Sequence, residues 1–196
     1  MTDIVHYHLD WQGPFTYARS DSNSFLGSSA ANKPGVYLWT FEYRDGYLIY
    51  IPGYTMTSFT SRLSAYRNLF RAGKYTILDG LSAQRGTRNE IWHGLNWDKR
   101  PGRKEEFLSN RVYYEGAADK MMGTMRIFLA PLPPEGRVPA RAEAAIINIL
   151  YSSVGPVHDL PDTNMQRSPR RPTETPFMGH SNAHVILHGL PEHFEA

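Results

Sequence analysis

An apolar-polar alternation over residues 4–9 predicts a short strand, and the Gly-, Pro- and Ser-rich sequence to residue 31 predicts a long loop. Two denser β-rich runs follow, at 35–41 (GVYLWTF) and 47–51 (YLIYI). Arg44-Asp45-Gly46 lies between them and predicts a hairpin, because Asp-Gly suits a turn with positive φ at its central residues. The period then changes. Phe59, Leu63, Tyr66 and Phe70 recur at spacings of four, three and four, which lines one face of a helix. Ser58 or Thr57 suits its cap, and Gly73 its end.

Residues 74–123 show little periodicity. Within them 75–78 and 111–114 read as short strands. Residues 124–132 (TMRIFLAPL) predict a buried strand stopped by Pro133-Pro134. A second helix is predicted over about 139–153, with Pro139 in its first turn. Residues 185–187 form a late apolar run with strand character. The order strand, strand, helix, insertion, strand, helix, tail predicts an α+β fold, with a small antiparallel three-stranded central sheet flanked by helices. It is read as one domain over 1–196. Its parts are an N-terminal arm (1–33), the hairpin and first helix (34–73), an insertion (74–123), the third strand, second helix and following loop (124–165), and a C-terminal extension (166–196).

Composition narrows the class. Of 196 residues, 41% are hydrophobic and 13% aromatic, which supplies a core and excludes a disordered chain. No run of eighteen apolar residues is present, so no membrane span is expected. Met1-Thr2-Asp3-Ile4 lacks the basic and apolar regions of a signal peptide. The absence of cysteine excludes disulfides and thiolate metal sites. Together these lead us to expect a cytoplasmic, intracellular protein. A net charge of +2 says little about partners, but its distribution says more. Lys99, Arg100, Arg103 and Lys104 form one basic loop, and Arg167, Arg170 and Arg171 a second, broken by Pro169 and Pro172. Such clusters either follow a phosphate backbone or lie solvated.

Several residues carry chemistry, each with a plain structural alternative. On the second helix Glu143 falls on the face of Ala140, Ala144, Ile147, Leu150 and Tyr151. A carboxylate facing a core needs a cation, either an arginine in a structural ion pair or a divalent metal, or must take up a proton. Arg62 lies beside the apolar stripe of the first helix, either packed along its stem or presented to an anion. Tyr37 and Tyr50 suit strand packing, yet a hairpin can also bring two phenols together. His180, His184 and His188 are four apart, the spacing of a zinc site on a helix. Gly179, Ser181, Asn182 and Gly189 oppose a helix there, so these read as surface histidines.

The order of these residues resembles the GIY-YIG nuclease superfamily. Gly35-Val36-Tyr37 resembles its first motif, and Tyr50-Ile51-Pro52-Gly53-Tyr54-Thr55 its second, with Pro52 inserted. Arg62-Leu63 with Tyr66 is similar to its arginine helix, as found in the excision-repair incision subunit, and Glu143-Ala-Ala-Ile-Ile to its metal-binding glutamate. Asn164 takes the place of its late asparagine. The resemblance spans about 35–165. It implies a DNA endonuclease, stand-alone and restriction-type, that hydrolyses phosphodiesters with Mg²⁺ or Mn²⁺ on Glu143. Arg62 would grip the phosphate, Tyr37 would act as general base, and Tyr50 would orient water. The two basic clusters would grip DNA, and a homodimer would serve a double-strand cut. The alternative is a nucleic-acid-binding module that keeps the fold without catalysis, or works only with a partner. Proline in a strand argues for an edge or a bulge, which would re-aim Tyr50.

Overall fold

The computed structural model describes residues 4–18, 21–94, 99–162 and 165–196. The chain runs through β1 (Val5–Asp10), β2 (Gln12–Phe15), β3 (Gly35–Tyr43), β4 (Gly46–Thr55), α1 (Phe59–Ser64), α2 (Tyr66–Arg71), β5 (Ile77–Leu78) and α3 (Gly80–Gln84). It continues through β6 (Glu90–Trp92), α4 (Arg103–Ser109), α5 (Arg111–Thr124), β7 (Met125–Pro131), α6 (Val138–Ser152), α7 (Pro156–Asp159), β8 (Phe177–Asn182), β9 (Ile186–His188) and β10 (His193–Glu195).

The fold is α+β. Its main sheet has five strands in the order β2-β7-β3-β4-β9, where three were expected. β7, β3 and β4 pair antiparallel in the middle. The arm adds β2 on one side, and the extension adds β9, parallel to β4, on the other. Both additions cover backbone that would otherwise stand as open edges. A second sheet, β1-β8-β10, joins the two ends of the chain.

Alternation along β3 explains why residues 35–39 are apolar without a break. Tyr37, Trp39 and Phe41 point into a layer shared with Phe59, Leu63, Tyr66, Phe70 and Met121. Val36 and Leu38 point the other way, into a layer with Phe128, Ala142, Ile146, Phe177 and Phe194. Both faces are therefore buried. Phe59, Leu63 and Phe70 are 0% exposed, and each contributes about 2 kcal/mol by burial. That anchors the short helices α1 and α2 against β3.

Three local expectations change. The helix expected to Gly73 is two helices that meet at Ala65, although Ser58 does cap the first by accepting from the Ser61 N–H. Residues 111–114, expected as a strand, begin α5. That helix buries Tyr114, Ala117, Ala118, Met121 and Met122, spacings of three and four that override the β preference of Val112 and Tyr113. The hairpin loop is Arg44-Asp45, with φ +52° at Arg44. Gly46 is required for another reason: β9 approaches so closely that a Cβ would overlap the Ile186 carbonyl. Pro52 lies in β4 beyond the Gly46–Leu48 stretch that β9 pairs, where a missing N–H costs little. A register shift between Trp39 and Thr40 leaves Tyr50 as the extra residue of a bulge. No helix among the described residues is long and apolar enough to cross a membrane.

Candidate active site

A hollow of about 560 Å³ opens at the Gly53 end of β4. Tyr37 reaches it from β3, Arg62 from α1, Tyr66 from α2 and Glu143 from α6. Gly53 makes this possible. It sits opposite Tyr37 across the hairpin, and a Cβ there would overlap the Tyr37 ring and hydroxyl. The glycine of the second motif thus leaves room for the tyrosine of the first.

The phenols are paired. Tyr37 Oη and Tyr66 Oη are 2.6 Å apart in a buried hydrogen bond, and Arg62 Nε donates to Tyr37 Oη at 3.2 Å. The guanidinium also lies over the Tyr66 ring, 5.4 Å from its centroid. Among the described residues, the two terminal nitrogens of Arg62 have no hydrogen-bond partner. They remain available to an anion.

Glu143 is 8% exposed and Oε2 has no partner. Among the described residues no cation lies within ion-pair distance, so the structural salt bridge considered from the sequence is not formed there. Desolvation pushes its carboxyl up to about 8, and the charge of Arg62 holds it back only in part. Tyr37 moves the same way. Burial pushes its phenol up to about 12 against the pull of Arg62 and the bond to Tyr66. Tyr66 is raised well above the usual phenol range, again by burial first.

Groups beyond the expected catalytic set also enter the hollow, among them Arg100 of the first basic loop, which the sequence did single out. Lys74 and Arg100 bring its cations to three with Arg62, and Asp162 adds a second carboxylate. Asp162 is 6% exposed; Oδ1 has no hydrogen bond and lies 3.8 Å from Arg88. Tyr75 stacks on Tyr66, with centroids 5.2 Å apart. Tyr54 could have been found by alternation: it pairs with Val36, so it faces the α6 side, where Glu143 lies. Lys74, Arg100 and Asp162 come from loops, whose paths no periodicity predicts. At neutral pH a protonated Glu143 leaves three cations against one carboxylate, a surplus that favours an anion such as a phosphodiester.

The other expected residues are placed as follows. Tyr50 is fully buried, is absent from the hollow, and donates to the Thr76 carbonyl at 2.7 Å. The bulge keeps it on the same layer as Tyr37 but aims it elsewhere. Asn164 lies outside the described residues. Lys99 and Lys104 are exposed. Arg103 packs on Trp92 at 4.0 Å, pairs with Glu106 at 2.8 Å and donates to the His93 carbonyl, so it is engaged in the fold. Arg167 bonds Asn148, and Arg170 bonds the Glu174 carbonyl, while Arg171 is exposed. The segment before Arg170 forms part of the wall through Met165, Gln166 and Ser168.

No family model, no curated protein and no solved structure matches the chain. The class that fold and geometry define is an α+β protein with a phenol-lined, cation-rich hollow holding one unpaired carboxyl group.

Proposed function

We propose that the protein is a metal-dependent DNA endonuclease of the GIY-YIG kind, with β7, β3 and β4 as the central three strands of that fold. One observation carries the reading: Tyr37, Tyr66, Arg62 and the unpartnered Glu143 carboxyl line one hollow. Four residues from four separate elements, each with a packing explanation of its own, share one surface.

The donor set suits a hard cation. The orphaned Glu143 Oε2, with the space of the hollow beside it, fits Mg²⁺ or Mn²⁺, which keep several waters and need few protein ligands. Glu143 would hold such an ion once its proton is released to solvent, and the bound ion would supply positive charge to the scissile phosphate and its leaving oxygen. Arg62 holds non-bridging phosphate oxygens with its free terminal nitrogens, the task its planar fork suits. The Tyr37 oxygen already accepts from Arg62. When Tyr66 also donates to it, the Tyr37 proton is left to point at the reacting groups. A phenol near 12 keeps that proton at neutral pH, so in the resting protein Tyr37 orients and donates. It turns general base only as positive charge beside it lowers that value. Arg100 and Lys74, with exposed Lys99, Lys104 and Arg171 around them, follow the DNA backbone.

A second reading, a DNA-binding module without chemistry, is favoured by the same high Tyr37 value. The two separate on supercoiled plasmid with Mg²⁺ or Mn²⁺. Nicked or linear product that disappears in chelator, and in Tyr37→Phe, is the expected result. Binding to duplex DNA with no product at any divalent ion supports the module instead.

Tyr50 offers an independent check on the placement of the phenols. Tyr50→Phe is expected to lower stability by about 1–2 kcal/mol, because the buried Thr76 carbonyl loses its donor. Cleavage should change by less than about threefold, since a sub-kilocalorie effect on the barrier stays below tenfold. A larger loss of activity at unchanged stability would return Tyr50 to the reacting groups.

A further inference from the structure

The exposed face of the second sheet is built of imidazoles. Alternation on β1 turns His6 and His8 to one side and Tyr7 and Leu9 to the other. β1 runs parallel to β8 in a register that sets His8 beside His180, and β10 sets His193 beside His180 from the opposite flank. Three rings therefore stand in one row across three strands, and His6 joins them from two residues along β1. The ring centroids of His6, His8 and His193 lie 5.0, 4.9 and 4.8 Å from that of His180. His6 Nδ1 and His180 Nε2 are hydrogen-bonded at 2.7 Å. Packing does not account for this row, because the opposite face carries it through Leu9, Phe177 and Phe194.

Neutral imidazole is the form that binds metal. The rest of the face is polar. Asn182 donates to Asp10 at 2.8 Å and reaches His8 Nδ1 at 3.4 Å, and Glu195 pairs with Met178 beyond His180.

We propose that His6, His8, His180 and His193 bind one divalent ion of the class that prefers imidazole nitrogen, Zn²⁺, Ni²⁺ or Cu²⁺, and that the ion clamps β1 to the C-terminal strands. The histidine-x-histidine step on one strand, with a third ring directly across on the next, supplies three nitrogen donors from fixed backbone positions. As they stand the rings are stacked, and among the described residues no three acidic or imidazole groups are yet arranged around an ion. The side chains of His6, His8 and His193 are exposed, so turning them about χ1 and χ2 breaks no core contact. This ligand set is nitrogen, where the hollow offers oxygen from Glu143, so the two sites select different metals.

The test is calorimetric titration of the full chain with Zn²⁺ at pH 7.5, in excess Mg²⁺ to cover the hollow. Expected are one equivalent per chain with a micromolar or tighter dissociation constant, on the order set by three imidazole ligands, and loss of binding at pH 5.5 as the rings protonate. His180→Ala should weaken binding at least about 30-fold, and His93→Ala, whose ring bonds Glu90 of β6 outside this sheet, should leave it unchanged. Nitrogen hyperfine structure from three or more imidazoles is expected with Cu²⁺. His6→Asn with His193→Asn repeats the test should His180→Ala melt early in chelator. The absence of saturable Zn²⁺ binding, or equal binding by wild type and these variants, overturns the proposal.

Discussion

Glu143→Gln is expected to lower divalent-ion-dependent cleavage of plasmid by about 10³-fold or more, the scale of losing a charge-stabilising group at the reacting centre. In chelator the same substitution should stabilise the protein at alkaline pH. The sign follows from burial. The carboxyl is raised from 4.5 to about 8 in the folded chain, so the folded state holds its proton more tightly than the unfolded state does. Stability is therefore unaffected below about pH 4.5, falls as pH climbs toward 8, and levels off above. With each tenfold in proton affinity worth about 1.4 kcal/mol, the full penalty is on the order of 5 kcal/mol. That is a sizeable part of the roughly 5–15 kcal/mol that holds a domain together. The amide in the Glu143→Gln variant has nothing to ionise, so its profile should be flat over this window. Denaturant melts at pH 4.5, 7 and 9, with chelator, measure it. Should the variant instead lose stability at every pH, Glu143 pairs with a cation in the folded chain and is a structural residue.

Arg62→Ala carries the second large effect. Cleavage should fall by about 10²–10³-fold, as expected when a preorganised donor to a developing phosphate charge is removed. The melting temperature should stay within about 2 °C. Arg62 is exposed at the mouth of the hollow, and Tyr37 keeps its 2.6 Å bond to Tyr66 when the guanidinium is gone. Surface changes of this kind cost about 0.5 kcal/mol or less, a small shift for a chain this long. Arg62→Lys should recover little, because an ammonium cannot hold Tyr37 and two phosphate oxygens at once. Plasmid assays beside thermal melts separate the cases. A collapse in melting temperature that parallels the loss of activity would make Arg62 a packing residue, and the loss would say nothing about phosphate.

Tyr37, Arg62, Tyr66 and Glu143 lie on elements whose type short-range patterning predicts. Spacings of three and four place Tyr66 and Glu143 on a helix face before any partner is known, whereas β3 is apolar on both faces, so Tyr37 stood out only by its place in the Gly35-Val36-Tyr37 run. Tyr50 was not readable in that way. A single extra residue in β4, between the partners of Trp39 and Thr40, changes which way its phenol is aimed, and only pairing with β3 reveals it. The helix over 111–124 was hidden for a related reason. Val112 and Tyr113 are exposed and carry strand preference, while the buried positions that enforce the helix lie further along.

The histidine row shows the same boundary most clearly. His6 and His8 are separated from His180 by more than 170 residues, and the four-residue spacing of His180, His184 and His188, on a segment whose glycines already opposed a helix, gives no hint of the rings that β1 and β10 bring to His180. Element type, element order and the facing of single side chains follow from short-range periodicity, which any one segment carries whole. Strand register, the two strands added to the central sheet, the loops that bring Lys74, Arg100 and Asp162 into the hollow, and the imidazole cluster follow from burial summed over distant segments. No single segment holds that sum, so these features exist only once the chain has closed on itself.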